Sequence, residues 1–126
     1  MLMKFIAIFI GGGLGALLRY AIAISMRSMP LSPLIGTLSA NIIGCFLIGF
    51  VFALSINKVD MLPTALKLFI IVGFLGGLTT FSTFNIEIFE LIKAGKIFTG
   101  LSYMVISCAI GLIATYLGYL LYSKIA

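Results

Sequence analysis

The sequence predicts an all-α membrane protein of four transmembrane helices, the third broken near its middle. Three observations carry that expectation. Of 126 residues, 63% are apolar and only 9% charged, whereas soluble domains carry about a quarter charged residues; the mean hydropathy is +1.33. The apolar residues gather into four segments, near 3–26, 35–56, 66–91 and 98–121, each longer than the roughly 20 residues that cross a hydrocarbon core. Inside the third lies GFLGGLTTFSTF, residues 73–84, in which glycines and hydroxyl side chains compete with helix hydrogen bonds. The connections are short, so a single transmembrane domain over residues 1–126 is expected, with no soluble head.

Segment one carries Gly11, Gly12, Gly13 and Gly15. Gly11, Gly13 and Ala16 imitate a dinucleotide-binding G-x-G-x-x-A turn, but that fingerprint needs an acid about 20 residues on. The first acid of this chain is Asp60. The glycines instead form a small-xxx-small step that lets another helix approach closely. Lys4 before the apolar run resembles the start of a signal peptide, but the run is too long and three more spans follow, so the segment is expected to be retained. Apart from Lys4 at its start, Arg19 is the one cation within this span. It either snorkels to the interface or raises anion concentration at a pore mouth.

Segment two presents Gly36, Ala40 and Gly44 at spacing four, a smooth packing face, with Asn41 beside it. An amide in hydrocarbon needs partners. Its NH2 group can donate to an anion and its oxygen can cap broken backbone; an interhelical hydrogen bond is the plainer alternative.

Segment three holds the break. In lipid, open backbone costs several kcal/mol per group unless protein or an ion satisfies it. A breakable stretch at membrane depth therefore points to an ion or substrate site. Phe81 and Phe84 stand in the same stretch, and a phenyl ring has a positive edge that an anion can meet. That contact is weak, so a small anion of high charge density gains most. Carbonyls freed at the end of a half-helix suit a hard cation such as Na+, and two copies meeting antiparallel at the break could hold one such ion structurally. Glu87 and Glu90 close the segment near Lys93 and Lys96; they read as an exposed helix end, with Glu87 near enough to the break to line a vestibule.

Segment four repeats Tyr103, Ser107, Gly111 and Thr115 at spacing four, one stripe on a helix. Hydroxyls there either replace water around a moving ion or bond back to their own helix.

The remaining composition excludes much. There is no His, so the usual proton shuttle and the commonest metal ligand are missing, and no Ser-His-Asp or Cys-His set can form. Enzyme chemistry is not expected. Cys45 and Cys108 have neither CxxC spacing nor a His partner and read as apolar fillers. The net charge of +5 reads as lysines at span ends rather than a nucleic-acid surface. With both termini on one side, Lys4, Lys58, Lys67 and Lys124 face Arg27, Lys93 and Lys96, with Arg19 nearby. That near balance gives little orientation bias. Dual insertion, and hence an antiparallel dual-topology homodimer, is expected. Four helices enclose little by themselves, so the functional site is expected near the dimer interface.

GALLRY at 15–20, GTLSANIIGCFLIG at 36–49 and GFLGGLTTFSTF at 73–84 together resemble the bacterial fluoride channels of the Fluc (CrcB) family over nearly the whole chain. The resemblance implies passive fluoride efflux across a bacterial or archaeal plasma (inner) membrane. It implies an antiparallel dimer with two fluoride pathways and a central structural Na+ on the backbone carbonyls of Gly76 and Thr79. Phe81 and Phe84 would be the ring pair, Asn41 the pore amide, and Tyr103, Ser107 and Thr115 the polar track. Ser82 and Thr83 of the same motif join the pathway, with Arg19 and Glu87 at the vestibule. Gly111 stands where some relatives carry a hydroxyl, so a water would fill that gap. Two other classes compete. A small multidrug exchanger needs a carboxylate deep in the first span, and residues 3–26 contain none. The other is one subunit of a heterodimeric fluoride channel, which would need a fixed orientation.

Overall fold

The computed structural model describes residues 1–30, 32–58 and 62–125; Asp60 lies outside them. Four spans are present, as the apolar segments predict. α1 runs Leu2–Ser25 and α2 Ser32–Lys58. The third span, Thr64–Lys93, is composite. It opens with α3 (Thr64–Lys67), widens into a π-helix (Leu68–Leu75), closes with the single turn α4 (Gly76–Leu78), and resumes as α5 (Phe81–Lys93). α6 runs Ile97–Ile125. Gly95, at φ 76°, makes the tight turn between α5 and α6; only glycine takes that left-handed conformation cheaply.

The break falls within the GFLGGLTTFSTF motif, at its threonines. Gly76 and Gly77 are the weakest helix formers of the motif, yet both remain helical; the chain opens at Thr79 (φ −82°, ψ 153°) and Thr80 (φ −146°, ψ 123°). Packing keeps the glycines in the helix. A Cβ on Gly77 would strike the Gly12 carbonyl and the Ala16 backbone, so this glycine serves close helix contact. The two threonines, whose β-branched side chains tolerate extended backbone, make the opening.

Two parallel helix pairs build the molecule. Gly11 lies against Gly73 and Phe74, and Gly15 against Phe74 and Leu78, so α1 and the first half of the third span run the same way. α2 and α6 do likewise, through Gly49 against Thr115 and Phe50 against Gly118. At each crossing a Cβ would meet neighbouring backbone, and that close approach replaces the hydrophobic driving force that lipid does not supply. Between the pairs sits a small core of Ala40, Leu75 and Leu78, flanked by Ile22, Leu47, Ile48, Ile70 and Phe74. The core thus packs directly beneath the opened backbone. Most large apolar side chains face outward, among them Phe5, Phe9, Phe98 and Leu112, as expected where the solvent is lipid.

Candidate functional site: an opened helix beside an apolar groove

The peptide groups released at the break are met by side chains. Thr79 Oγ1 donates to the Leu75 carbonyl at 2.9 Å, and the Thr79 N–H reaches the same oxygen at 3.0 Å, finishing the first half-helix. Thr80 caps the second half: its Oγ1 accepts from the Thr83 N–H at 3.2 Å and donates to Thr83 Oγ1 at 3.0 Å. This is the ordinary threonine N-cap. Asn41 holds the peptide between them. Its Oδ1 accepts the Thr80 N–H at 2.8 Å and its Nδ2 donates to the Thr80 carbonyl at 3.2 Å. In an unbroken helix the Thr80 N–H would bond to the Gly76 carbonyl. Asn41 takes that donor, so the Gly76 carbonyl loses its helical partner. Asn41 therefore does the capping that its sequence position suggests, with its second N–H left to donate.

A groove of about 630 Å³ runs beside this opening, its walls including Asn41, Gly76, Thr79, Phe81, Ser107 and Thr115. Gly111, Cys45 and Cys108 also line it. The two rings differ sharply in setting. Phe84 is 8% exposed and Phe81 78% exposed; their centroids are 6.3 Å apart with planes tilted by 38°. Phe84 also packs on Tyr103, at 5.2 Å and 56°. Ser82 and Thr83 are exposed at the start of α5, with Ser82 Oγ 3.5 Å from Thr80 Oγ1.

The stripe on α6 divides. Ser107, Gly111 and Thr115 face the groove. Ser107 Oγ is buried with no partner among the described residues, whereas Thr115 Oγ1 bonds back to the Gly111 carbonyl at 3.1 Å. A Cβ on Gly111 would come 3.3 Å from Cys45 Sγ, so the thiol fills space that a larger residue there would claim. Tyr103 turns elsewhere: its hydroxyl lies 2.9 Å from Glu87 Oε2 and 3.3 Å from the Leu34 carbonyl.

Glu87 is not an exposed helix end. It is 7% exposed and takes a hydrogen bond from Thr37 Oγ1 at 2.5 Å as well as the one from Tyr103. The α5–α6 hairpin turns it inward against α2, where a hydroxyl awaits, while Glu90 stays exposed. Arg19 is half-buried on α1 and stands outside the groove walls. Sequence reasoning passed over Thr37, whose place in a Gly-Thr pair on the packing face of α2 was the available signal. It also passed over the π-helix, for which an unbroken apolar run such as Leu68–Leu75 carries no mark.

An interrupted span with its freed peptide held by an amide, next to a groove walled by rings and hydroxyls, defines a small polytopic membrane protein with a polar seam at mid-membrane. A model of the family described as CrcB-like protein, Camphor Resistance (CrcB), matches residues 6–119. The chain is 40% identical over 121 residues to a protein of Serratia proteamaculans (strain 568), covering 96% of this chain and 94% of that one. It is 39% identical over 116 residues to one of Aquifex aeolicus (strain VF5), covering 91% and 93%. A Hydrogenobaculum sp. (strain Y04AAS1) protein is 41% identical over 117 residues, covering 92% and 94%. Each of these relatives is named fluoride-specific ion channel FluC. The chain belongs to the CrcB family. With four apolar spans and bacterial relatives it is a multi-pass inner-membrane protein.

Proposed function

We propose that this protein is a passive fluoride-selective channel, not an enzyme, that releases fluoride from the cytoplasm through two pathways in an antiparallel homodimer. The observation that carries the reading is the opened Thr79–Thr80 backbone, held by Asn41 beside the Phe81–Phe84 pair. It occurs in a chain whose near-full-length relatives are named for fluoride.

Fluoride is small and strongly hydrated, and each water it sheds has to be replaced. Arg19 raises anion concentration at the vestibule. The free N–H of Asn41 and the unpartnered Ser107 Oγ supply neutral donors along the groove, and the exposed hydroxyls of Ser82 and Thr83 add donors at the start of α5. Thr115 would extend the track on α6 by releasing its bond to the Gly111 carbonyl, and Tyr103 by releasing Glu87. The edges of Phe81 and Phe84 meet the ion between donors. Neutral donors leave no fixed charge to trap the anion, so binding stays weak enough for passage. A larger halide gains less from each contact.

Na+ fits the same break. Gly76 is exposed, its carbonyl lacks its helical donor, and Thr79 beside it is extended. Carbonyl oxygens are hard ligands suited to an alkali or alkaline-earth cation. No cluster of His, Cys, Asp or Glu that would favour a transition metal occurs among the described residues. The carbonyls of Gly76 and Thr79, contributed by both copies, would hold the ion at the dimer centre, where its charge joins the subunits.

Purified protein in liposomes, read with a fluoride electrode, tests the reading. Rapid fluoride release and negligible chloride release are expected. Phe81→Ile and Phe84→Ile should each slow fluoride by roughly tenfold or more, about 1.4 kcal/mol on the barrier, while the dimer persists. Unchanged flux in both variants would remove the ring edges from the mechanism.

A further inference from the structure

Asn85 lies on the exposed face of α5, one turn after Phe81, and its Nδ2 donates to the Phe81 carbonyl at 2.9 Å. The surrounding stripe is apolar: Phe81, Ile86, Phe89 and Ile92 are all exposed. Depth makes the amide conspicuous. Asn85 precedes Lys93 by eight residues, which is about 12 Å at roughly 1.5 Å per residue. With Lys93 at the headgroups, Asn85 lies most of the way to the centre of a hydrocarbon core about 15 Å deep per leaflet.

An amide carries two N–H donors and two acceptor sites. The bond to Phe81 uses one donor, so among the described residues the other N–H and the side-chain oxygen have no protein partner, at a depth where lipid offers none. Such a group costs several kcal/mol in hydrocarbon. It is stable there only if it faces water, an ion or another chain.

We infer that Asn85 is an additional anion-contacting residue of the fluoride pathway, its free N–H donating to the ion as the ion reaches the edge of Phe81. This rests on the fluoride-channel reading above. Two features favour an ion over another helix. The amide is tied to the carbonyl of the very residue whose ring is 78% exposed, so donor and ring edge are held in fixed relation. The ring edge alone is a weak partner for an anion, and a neighbouring neutral donor supplies what it lacks. The exposed hydroxyls of Ser82 and Thr83 begin the same helix and extend the donor set toward Asn85.

Liposome flux and size-exclusion elution of Asn85 variants test this. Asn85→Leu should slow fluoride about tenfold, the loss of one hydrogen bond to a charged group, while eluting as the wild-type assembly does. Asn85→Asp, of equal size but without the donor and with a negative charge, should slow it at least as much; it keeps the test decisive if the leucine variant misfolds. Asn85→Gln, which keeps the donor, should stay within about threefold of wild type. Wild-type flux in Asn85→Leu or Asn85→Asp overturns the inference and makes the amide a lipid-edge residue. A leucine variant that stays folded but elutes as a smaller species also overturns it and makes the amide an interhelical bond. A wild-type protein that releases no fluoride fails the channel reading itself, a result separate from these.

Discussion

Asn41 holds the opened peptide from a distant helix. Among the described residues, its two bonds to the Thr80 peptide are the hydrogen bonds that join α2 to the opened backbone, and they act where no water substitutes. Asn41→Leu leaves a buried N–H and carbonyl unpaired, at about 1–3 kcal/mol each. Thermal unfolding in detergent should show a clear loss of stability, and fluoride release should fall with it. Asn41→Asp keeps the acceptor for the Thr80 N–H and should unfold closer to wild type, while its charge blocks anion passage. Separating stability from flux in this way distinguishes the capping role from the conducting role. The same scale shows why Glu87 was hard to read. Nothing in its neighbours along the chain marks burial; its partners Thr37 and Tyr103 arrive from other helices.

Helices in this protein meet through glycines, and not all glycines count equally. A Cβ on Gly49 would run into the Thr115 backbone, whereas one on Gly13 would meet nothing. Gly49→Ala should therefore push α2 from α6 and destabilise by roughly 1–3 kcal/mol. Gly13→Ala should be neutral or stabilising by up to about 1 kcal/mol through helix propensity alone. Unfolding of the two variants in one detergent checks the contrast. The G-x-G pattern of segment one thus resolves into positions with separate duties, Gly11 and Gly15 in contact with the third span and Gly13 outside it. Composition marked the glycines; only packing assigned their tasks. The third span teaches the same lesson. A break was legible in GFLGGLTTFSTF, but which of its peptides opens was not: α1 presses on Gly77, which stays helical, and the chain opens at Thr79–Thr80.

Across the whole molecule, the near-even placement of Lys and Arg bears on assembly. An antiparallel homodimer requires that one chain insert both ways. Reporter fusions at the two termini should each give signal from both sides of the membrane, and cross-linking in native membranes should yield a dimer. A single fixed orientation would leave the chain as half of a heterodimer. Such a dimer would also give a purpose to the exposed Gly76 and Phe81, which line the groove with little of their own chain around them.

The membrane class, the number of spans and the presence of a break follow from the sequence alone, because length, apolarity and backbone propensity are local properties that need no partner. The motif residues also set Asn41, Phe81 and Phe84 apart before any coordinates. What only tertiary structure decided is which peptide opens, which side chain holds it, and where Glu87 goes. Those depend on helices distant in sequence converging within hydrogen-bond reach, so no single stretch of chain carries them.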